Sequence, residues 1–326
     1  MNIGGIDMKF EVAVRPGAEL GEGPRWDAAT DTLLWVDIVG RAVHRFDPRT
    51  GEDERRPVRD IPSLALPRSD GSVLVGMPGG IYTLEAATEL GSEPAAPPAG
   101  PAAGSSTDSA AGSSTGPVPG SPPLVPVEAD RPANRTNDGA CDPAGRLWVG
   151  TMARDEASPT AGLHCVGLDL SVTRVLDGTT ISNGLGWSPD GATFYFIDSP
   201  TRRVDAFDFD LATGTLENPR LLAAVEVDGA VPDGMNVDAE GCLWVALHGG
   251  WGLNRYSPAG ELLAEVRLPV ARITSCCFGG PELRDLYVTT RRDGLSDAEM
   301  AQQPLAGALL RLDPGVAGQP TYAFNA

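Results

Sequence analysis

Six short apolar segments recur along the chain, each rising out of a polar turn: TDTLLWVDI, DGSVLVGM, AGRLWVGTM, GATFYFID, EGCLWVAL and LRDLYVTT. Each is rich in aliphatic, aromatic and Thr residues and begins just past Asp, Gly or Arg, as a strand does after a tight turn. Most lead through another turn to a second strand that ends near an Asp, as in AVHRFDPRTG, RVDAFDFDLATG and GALLRLDPG. The units repeat about every 40 to 50 residues, and no segment longer than one turn keeps a helical period. An all-β repeat of that length and number predicts a six-bladed β-propeller whose blades are four-stranded antiparallel sheets. A sandwich of two sheets would need no such regularity.

One segment breaks the series. From Gly91 to Pro123 the chain is Ala, Gly, Pro and Ser, with no aromatic and almost no branched aliphatic residue. Such a stretch cannot bury enough surface to offset its ordering entropy, which predicts a flexible surface insertion. The same repeats continue on both sides. The expectation is therefore one propeller domain over 1–326 with an insertion at 91–123, not two domains joined by a linker.

The innermost strand of each propeller blade lines a central channel, so one repeat position from every blade meets near the axis. Counting back about 11 to 13 residues from the centre of each LWV-like strand gives that position. It holds Glu22, Ser63, Asn137, Asn183, Asp233 and Ser275, all of them polar. Asp or Asn before Gly ordinarily shapes a turn, as Asn183-Gly184 and Asp233-Gly234 could. The register shared between blades, and the presence of Glu22 in it, favour the channel instead. Glu22, Asn137, Asn183 and Asp233 offer oxygens and no soft ligand, a set suited to a hard divalent cation. Asp27, Asp142, Asp190 and Asp238 follow five to seven residues later in turn sequences such as SPDG and DAEG, and are read as hairpin-turn residues.

Composition then removes classes of function. A formal charge of −19 argues against a nucleic-acid surface, which needs clustered Lys and Arg. No apolar run approaches the length of a membrane span, and MNIGGIDMKFEVAV lacks the pattern of an export signal, so no membrane association and a cytoplasmic location are expected. The 41% apolar content is ample for a packed core, and the five cysteines, with no C-x-x-C, read as reduced buried thiols. No G-x-S-x-G occurs and no Ser has a plausible His and acid partner, which sets a serine hydrolase aside. His44 and His164 fall in second-strand positions as structural or surface groups, whereas His248, in ALHGGWG, is placed to approach the channel mouth. Trp251 and Tyr256 are expected to pack within a blade.

At these residues the chain resembles the SMP-30/gluconolactonase/luciferin-regenerating-like family of sugar lactonases. The motifs that carry the resemblance are LGEGPRWD at 20–27, WVDI at 35–38, ANRTNDGACDPAGRLWVGTM at 133–152, SNGLGWSPDG at 182–191, PDGMNVDAEGCLWVA at 232–246 and TSCCFGGPELRDLYVTT at 274–290. They cover nearly the whole chain apart from the insertion, in order. The resemblance implies a six-bladed propeller with one divalent metal ion in the channel, held by Glu22, Asn183 and Asp233, with Asp233 also the catalytic base. Oxygen ligands suit Ca²⁺, Mg²⁺ and Mn²⁺, and an open site also admits Zn²⁺ or Fe²⁺. It further implies that Arg135 and Asn137 contact the substrate. It implies too that an acidic residue soon after GTM joins them in contacting the substrate; Asp155 in GTMARDE holds that place, where many relatives carry Glu, with Glu156 beside it as a competitor. The reaction implied is hydrolysis of a small-molecule sugar (aldono-)lactone by metal-activated water. A metal-dependent esterase or organophosphate hydrolase on the same site, or a non-catalytic metal- or ligand-binding propeller, are the alternatives.

Overall fold

The computed structural model describes residues 8–85 and 121–326. Six separate four-stranded sheets make up nearly all of them, each an antiparallel meander. Blades I to VI begin at inner strands Gly21–Asp27, Leu64–Pro67, Asn134–Cys141, Ser182–Trp187, Val231–Val237 and Ile273–Gly279. Five blades are built from consecutive strands. The sixth is completed from the other end of the sequence: Phe10–Val14 becomes its outermost strand, pairing Phe10 with Leu312 and Val12 with Leu310. That closure ties the two ends of the propeller together.

The expected propeller of four-stranded blades is therefore the observed architecture. The insertion expected at 91–123 lies, except for its last three residues, outside the described residues; it connects the third strand of blade II, Gly80–Thr83, to the fourth, Val125–Pro126. A short α-helix, Asp297–Gln302, is opened by a Ser296/Glu299 capping box. No helix among them is long and apolar enough to cross a membrane.

A single blade is apolar on both faces and cannot bury either alone. Its aliphatic and aromatic side chains accordingly form six clusters, one at each junction between neighbouring blades. Trp148, Trp187, Phe194 and Phe209 fill the junction of blades III and IV, while Trp244 and Phe278 meet edge to face between V and VI. The residues after the blades matter too. Gln319 donates to the carbonyls of Trp187 and Val237, and Phe324 is fully buried between blades II and III. The C-terminal tail thus crosses one end of the channel, leaving the opposite end as the approach to its interior.

The second set of Asp residues closes hairpins as expected, and two of them do more. The Asp142 and Asp238 carboxylates, both fully buried, accept from backbone amides of their turns and from the indole N–H of Trp148 and Trp244, each at 3.0 Å. Arg146 pairs with Asp142 at 2.6 Å and Arg255 with Asp238 at 2.6 Å. His44 and His164 lie on third strands, not second, and are held structurally, His44 by Asp53 at 2.6 Å and His164 by Arg174 at 3.3 Å. Tyr256 packs as expected, but Trp251 occupies an exposed turn, 40% accessible, instead of a blade. All five cysteines are free and four are buried.

Removing the Asp238 carboxylate leaves the buried Trp244 indole N–H and two turn amides without their acceptor, and Arg255 with only Glu240 to pair with. Asp238→Ala should therefore destabilise by about 3–5 kcal/mol, read as a fall in the urea midpoint. Asp190→Ala, on an exposed turn bonded only to Ser188 and Ala192, should cost within about 1 kcal/mol.

Candidate active site in the central channel

The inner strands of blades I, III, IV and V lose their ladder register at an equivalent place. The pairing skips between Glu22 and Arg25, Thr136 and Gly139, Ser182 and Leu185, and Pro232 and Met235. Asn137, Asn183 and Asp233 occupy these irregularities, and Glu22 opens the one in blade I. A bulge leaves its residues unpaired and re-aims their side chains, which is how four strands whose apolar residues face the blades can still present polar groups to the axis.

The glycines after Asn183 and Asp233 do not make turns. A β-carbon at Gly184 would stand 2.7 Å from the amide nitrogen of Met235, and one at Gly234 only 2.1 Å from Ser275 Oγ. Neighbouring inner strands approach too closely there for any side chain. Blade III places Asp138 at the equivalent position. Its carboxylate accepts from the Gly139 amide at 2.7 Å and from Arg25 Nη2 at 2.8 Å, a buried ion pair linking blades I and III across the channel.

Within this ring, Glu22 Oε2 accepts from the Gly23 amide at 2.8 Å. The Asn183 amide donates to Asp233 Oδ1 and to Ser199 Oγ. Asn137 is used at both ends: Nδ2 donates to the Ser182 carbonyl at 3.0 Å, and Oδ1 accepts from Arg135 Nη1 at 3.0 Å. Glu22 Oε1, Asn183 Oδ1 and Asp233 Oδ2, from three different blades, have no hydrogen-bond partner among the described residues. Asp138 Oδ2 and Ser275 Oγ, which are buried, are also unpartnered.

The electrostatics follow from packing three carboxylates into a channel away from water. Burial pushes the Glu22 carboxyl well above its usual range, with the charges of Asp233 and Asp138 adding to it. Burial also carries Asp233 up to about 7; the Asn183 hydrogen bond opposes that rise, Asp138 adds to it, and Arg291 and Arg135 lower it. Arg135 is itself brought down to about 10, first by burial, against the pull of Glu22 and Glu156.

The channel brings together Glu22, Asn137, Asn183, Asp233 and Arg135. It does not bring Asp155 to them. That residue stands on an exposed turn, where its carboxylate accepts from the amides of Ala157 and Ser158 and from Ser158 Oγ, and those bonds hold it down to about 2. The acid whose charge acts on Arg135 from this turn is Glu156. Counting register positions misses Asp138, Arg25 and Arg291, although Asp138 directly follows Asn137 in the motif NDG and Arg25 lies three residues after Glu22.

Three unpartnered oxygens from separate blades, among carboxylates that repel one another, form a donor set that a divalent cation fits. A second acidic group, Asp238 with Glu240 and Cys242, makes no comparable case, because Arg255 already neutralises the Asp238 carboxylate.

Residues 20–292 match the SMP-30/Gluconolactonase/LRE-like region. The chain is 36% identical to regucalcin of Oryctolagus cuniculus over 325 residues, 97% of this chain and 98% of that one. It is 37% identical to regucalcin of Xenopus laevis over 97% of this chain and 98% of the relative. Among solved structures, a calcium-binding regucalcin of Agrobacterium tumefaciens superposes with a TM-score of 0.83 at 26% identity, over 98% of this chain and 99% of the other. A luciferin-regenerating enzyme gives 0.81 at 32% identity, over 98% and 100%. With a matched family region over most of its length and relatives this similar end to end, the chain belongs to the SMP-30/gluconolactonase/LRE-like family.

Proposed function

We propose that the protein is a divalent-metal-dependent hydrolase that opens the ring of a sugar lactone. The observation that carries the reading is the convergence of Glu22, Asn183 and Asp233 oxygens that have no hydrogen-bond partner among the described residues, beside a guanidinium, Arg135, that has no carboxylate among those residues within ion-pair distance. Membership of a family that includes gluconolactonases, and a calcium-binding relative, support it.

Glu22, Asn183 and Asp233 would hold the ion. When bound there, a divalent cation supplies Lewis acidity toward a carbonyl oxygen and lowers the pKa of water. The remaining chemistry belongs to the chain. Asp233 accepts a proton from the attacking water as its oxygen bonds to the lactone carbonyl carbon. The tetrahedral species then breaks its bond to the ring oxygen, which leaves with the proton that Asp233 returns, giving an open hydroxy acid. Arg135 donates to the oxyanion in between. Asn137 orients that guanidinium by accepting from Nη1 while tied to blade IV through Ser182, so it acts as much by positioning Arg135 as by contact with substrate. Asp155 would take part only through rearrangement of its turn; Glu156 is the better placed acid.

Asp233→Asn should lower lactone hydrolysis by at least about a thousandfold, as loss of an essential base and ligand does. Chelation of the native protein should do the same, reversibly on adding Ca²⁺, Mn²⁺ or Zn²⁺. A pH-indicator assay over a panel of lactones, with an aryl ester and an organophosphate alongside, reads both. Turnover untouched by either change would sink the mechanism, and tight cation binding without turnover of any substrate would leave a binding propeller.

Cation binding should also be linked to protons. Folding raises the Asp233 pKa from 3.8 to about 7, so the metal-free fold favours the protonated acid. This group's contribution to stability is greatest below the lower value and is lost as pH rises through the higher one. A cation requires the ionised form. Its affinity should fall about tenfold per pH unit below pH 7 for each proton displaced, and titration calorimetry in buffers of different ionisation enthalpy should detect proton release.

A further inference from the structure

The residues one step above the ligand ring are basic in a chain that is acidic overall. Arg135 lies two residues before Asn137. His248 pairs across the sheet with Val231, two before Asp233, and also bridges to Arg272. Arg291 bridges to Leu20, two before Glu22, and its amide donates to the Arg272 carbonyl. Three blades therefore place cationic groups or a histidine at one level of the open end. Their charges reach the site, since Arg291 acts on Asp233 and both Arg291 and Arg272 act on His248.

Among the described residues one ion pair, Arg291 with Asp293, engages them, and the charge of Glu156 acts on Arg135. Arg135 has no carboxylate among the described residues within 4.0 Å, and only its Nη1 is hydrogen-bonded to them. Arg272 donates only to the carbonyls of Asp293 and Gly294. Arg291 pairs through Nη2 with Asp293 at 2.8 Å, its Nε buried without a partner. Below them, the three channel carboxylates less the Arg25 charge leave two negative charges, which one divalent cation cancels. The loaded site then leaves Arg135 with no ion-pair partner among the described residues, while Arg291, whose charge acts on Asp233, shares its own with Asp293. A neutral sugar lactone offers hydroxyls to such a wall, whereas a carboxylate offers the bidentate, charge-assisted partner that guanidinium fits best.

We propose that the preferred substrate is a lactone bearing a carboxylate, of the aldaric or uronic acid type, and that Arg291, together with Arg135, receives that carboxylate. The inference rests on the lactonase reading above and deepens it. Arg291 is then a specificity-determining residue, distinct from the group that receives the proton.

The test compares metal-loaded protein on D-glucarolactone, which is charged, and D-gluconolactone, which is not. Native protein should favour the charged lactone by at least about tenfold in kcat/KM, the scale of one charge-assisted hydrogen bond, and raising the salt should erode that preference. Arg291→Gln should reduce the ratio of the two kcat/KM values about tenfold or more, mostly through KM, with Arg291→Lys recovering part of it. Independently of any variant, D-glucarate should inhibit the native protein more strongly than D-gluconate. A ratio near one in native protein, or a ratio that Arg291→Gln leaves unchanged, overturns the proposal while the lactonase stands. Absence of turnover on either lactone removes the lactonase reading and this inference with it.

Discussion

Closing six blades into a ring forces their inner strands almost into contact, and the site depends on that crowding. At Gly234 there is no room for a single added carbon between blades V and VI, and at Gly184 none between IV and V. Strands packed so tightly cannot carry an uninterrupted ladder and also project polar groups to the axis. The breaks in register at the inner strands of blades I, III, IV and V resolve the conflict, and each break coincides with a polar group that faces its counterparts. The six apolar clusters between blades hold the ring shut and so hold those groups against their mutual repulsion. The bulge costs local pairing, the carboxylates cost desolvation, and the blade junctions supply what offsets both.

This division also explains why the candidate site is tied together largely across blades. Asn183 reaches Asp233, Asn137 is tied to Ser182, and Arg25 joins Asp138 from the far side. Each bond links different sheets. The geometry of the site is therefore the geometry of ring closure, to which the N-terminal strand in blade VI and the C-terminal tail across the channel both contribute.

What could be read in the sequence was whatever repeats. Strand alternation and turn spacing gave six blades, and the common register gave Glu22, Asn137, Asn183 and Asp233 because one position returns in every unit. Features that occur once carried no such signal. Nothing periodic marks Phe10–Val14 as the outer strand of the last blade or Gln319 as a plug. Asp138 was hidden beside Asn137 because its partner lies 113 residues away, a separation fixed by the ring and not by the repeat. Asp155 shows the opposite failure: its place after GTM marks the right turn, but the turn's own amides and Ser158 claim the carboxylate, an outcome that depends on loop conformation.

Asp233 and Asp238 make the lesson concrete, for they begin five residues apart with identical side chains. Asp238 is encircled by donors from Glu240, Cys242, Trp244 and Arg255, all belonging to its own blade. Every demand of that carboxylate is met, so it can only hold structure. Asp233 meets one amide from the next blade, other carboxylates and distant guanidinium groups, with one oxygen left over. A charge so incompletely satisfied is costly to bury. The same residue type is thus a fastening in one place and an incompletely satisfied acid in the other, according to whether its partners come from its own sheet or from across the channel.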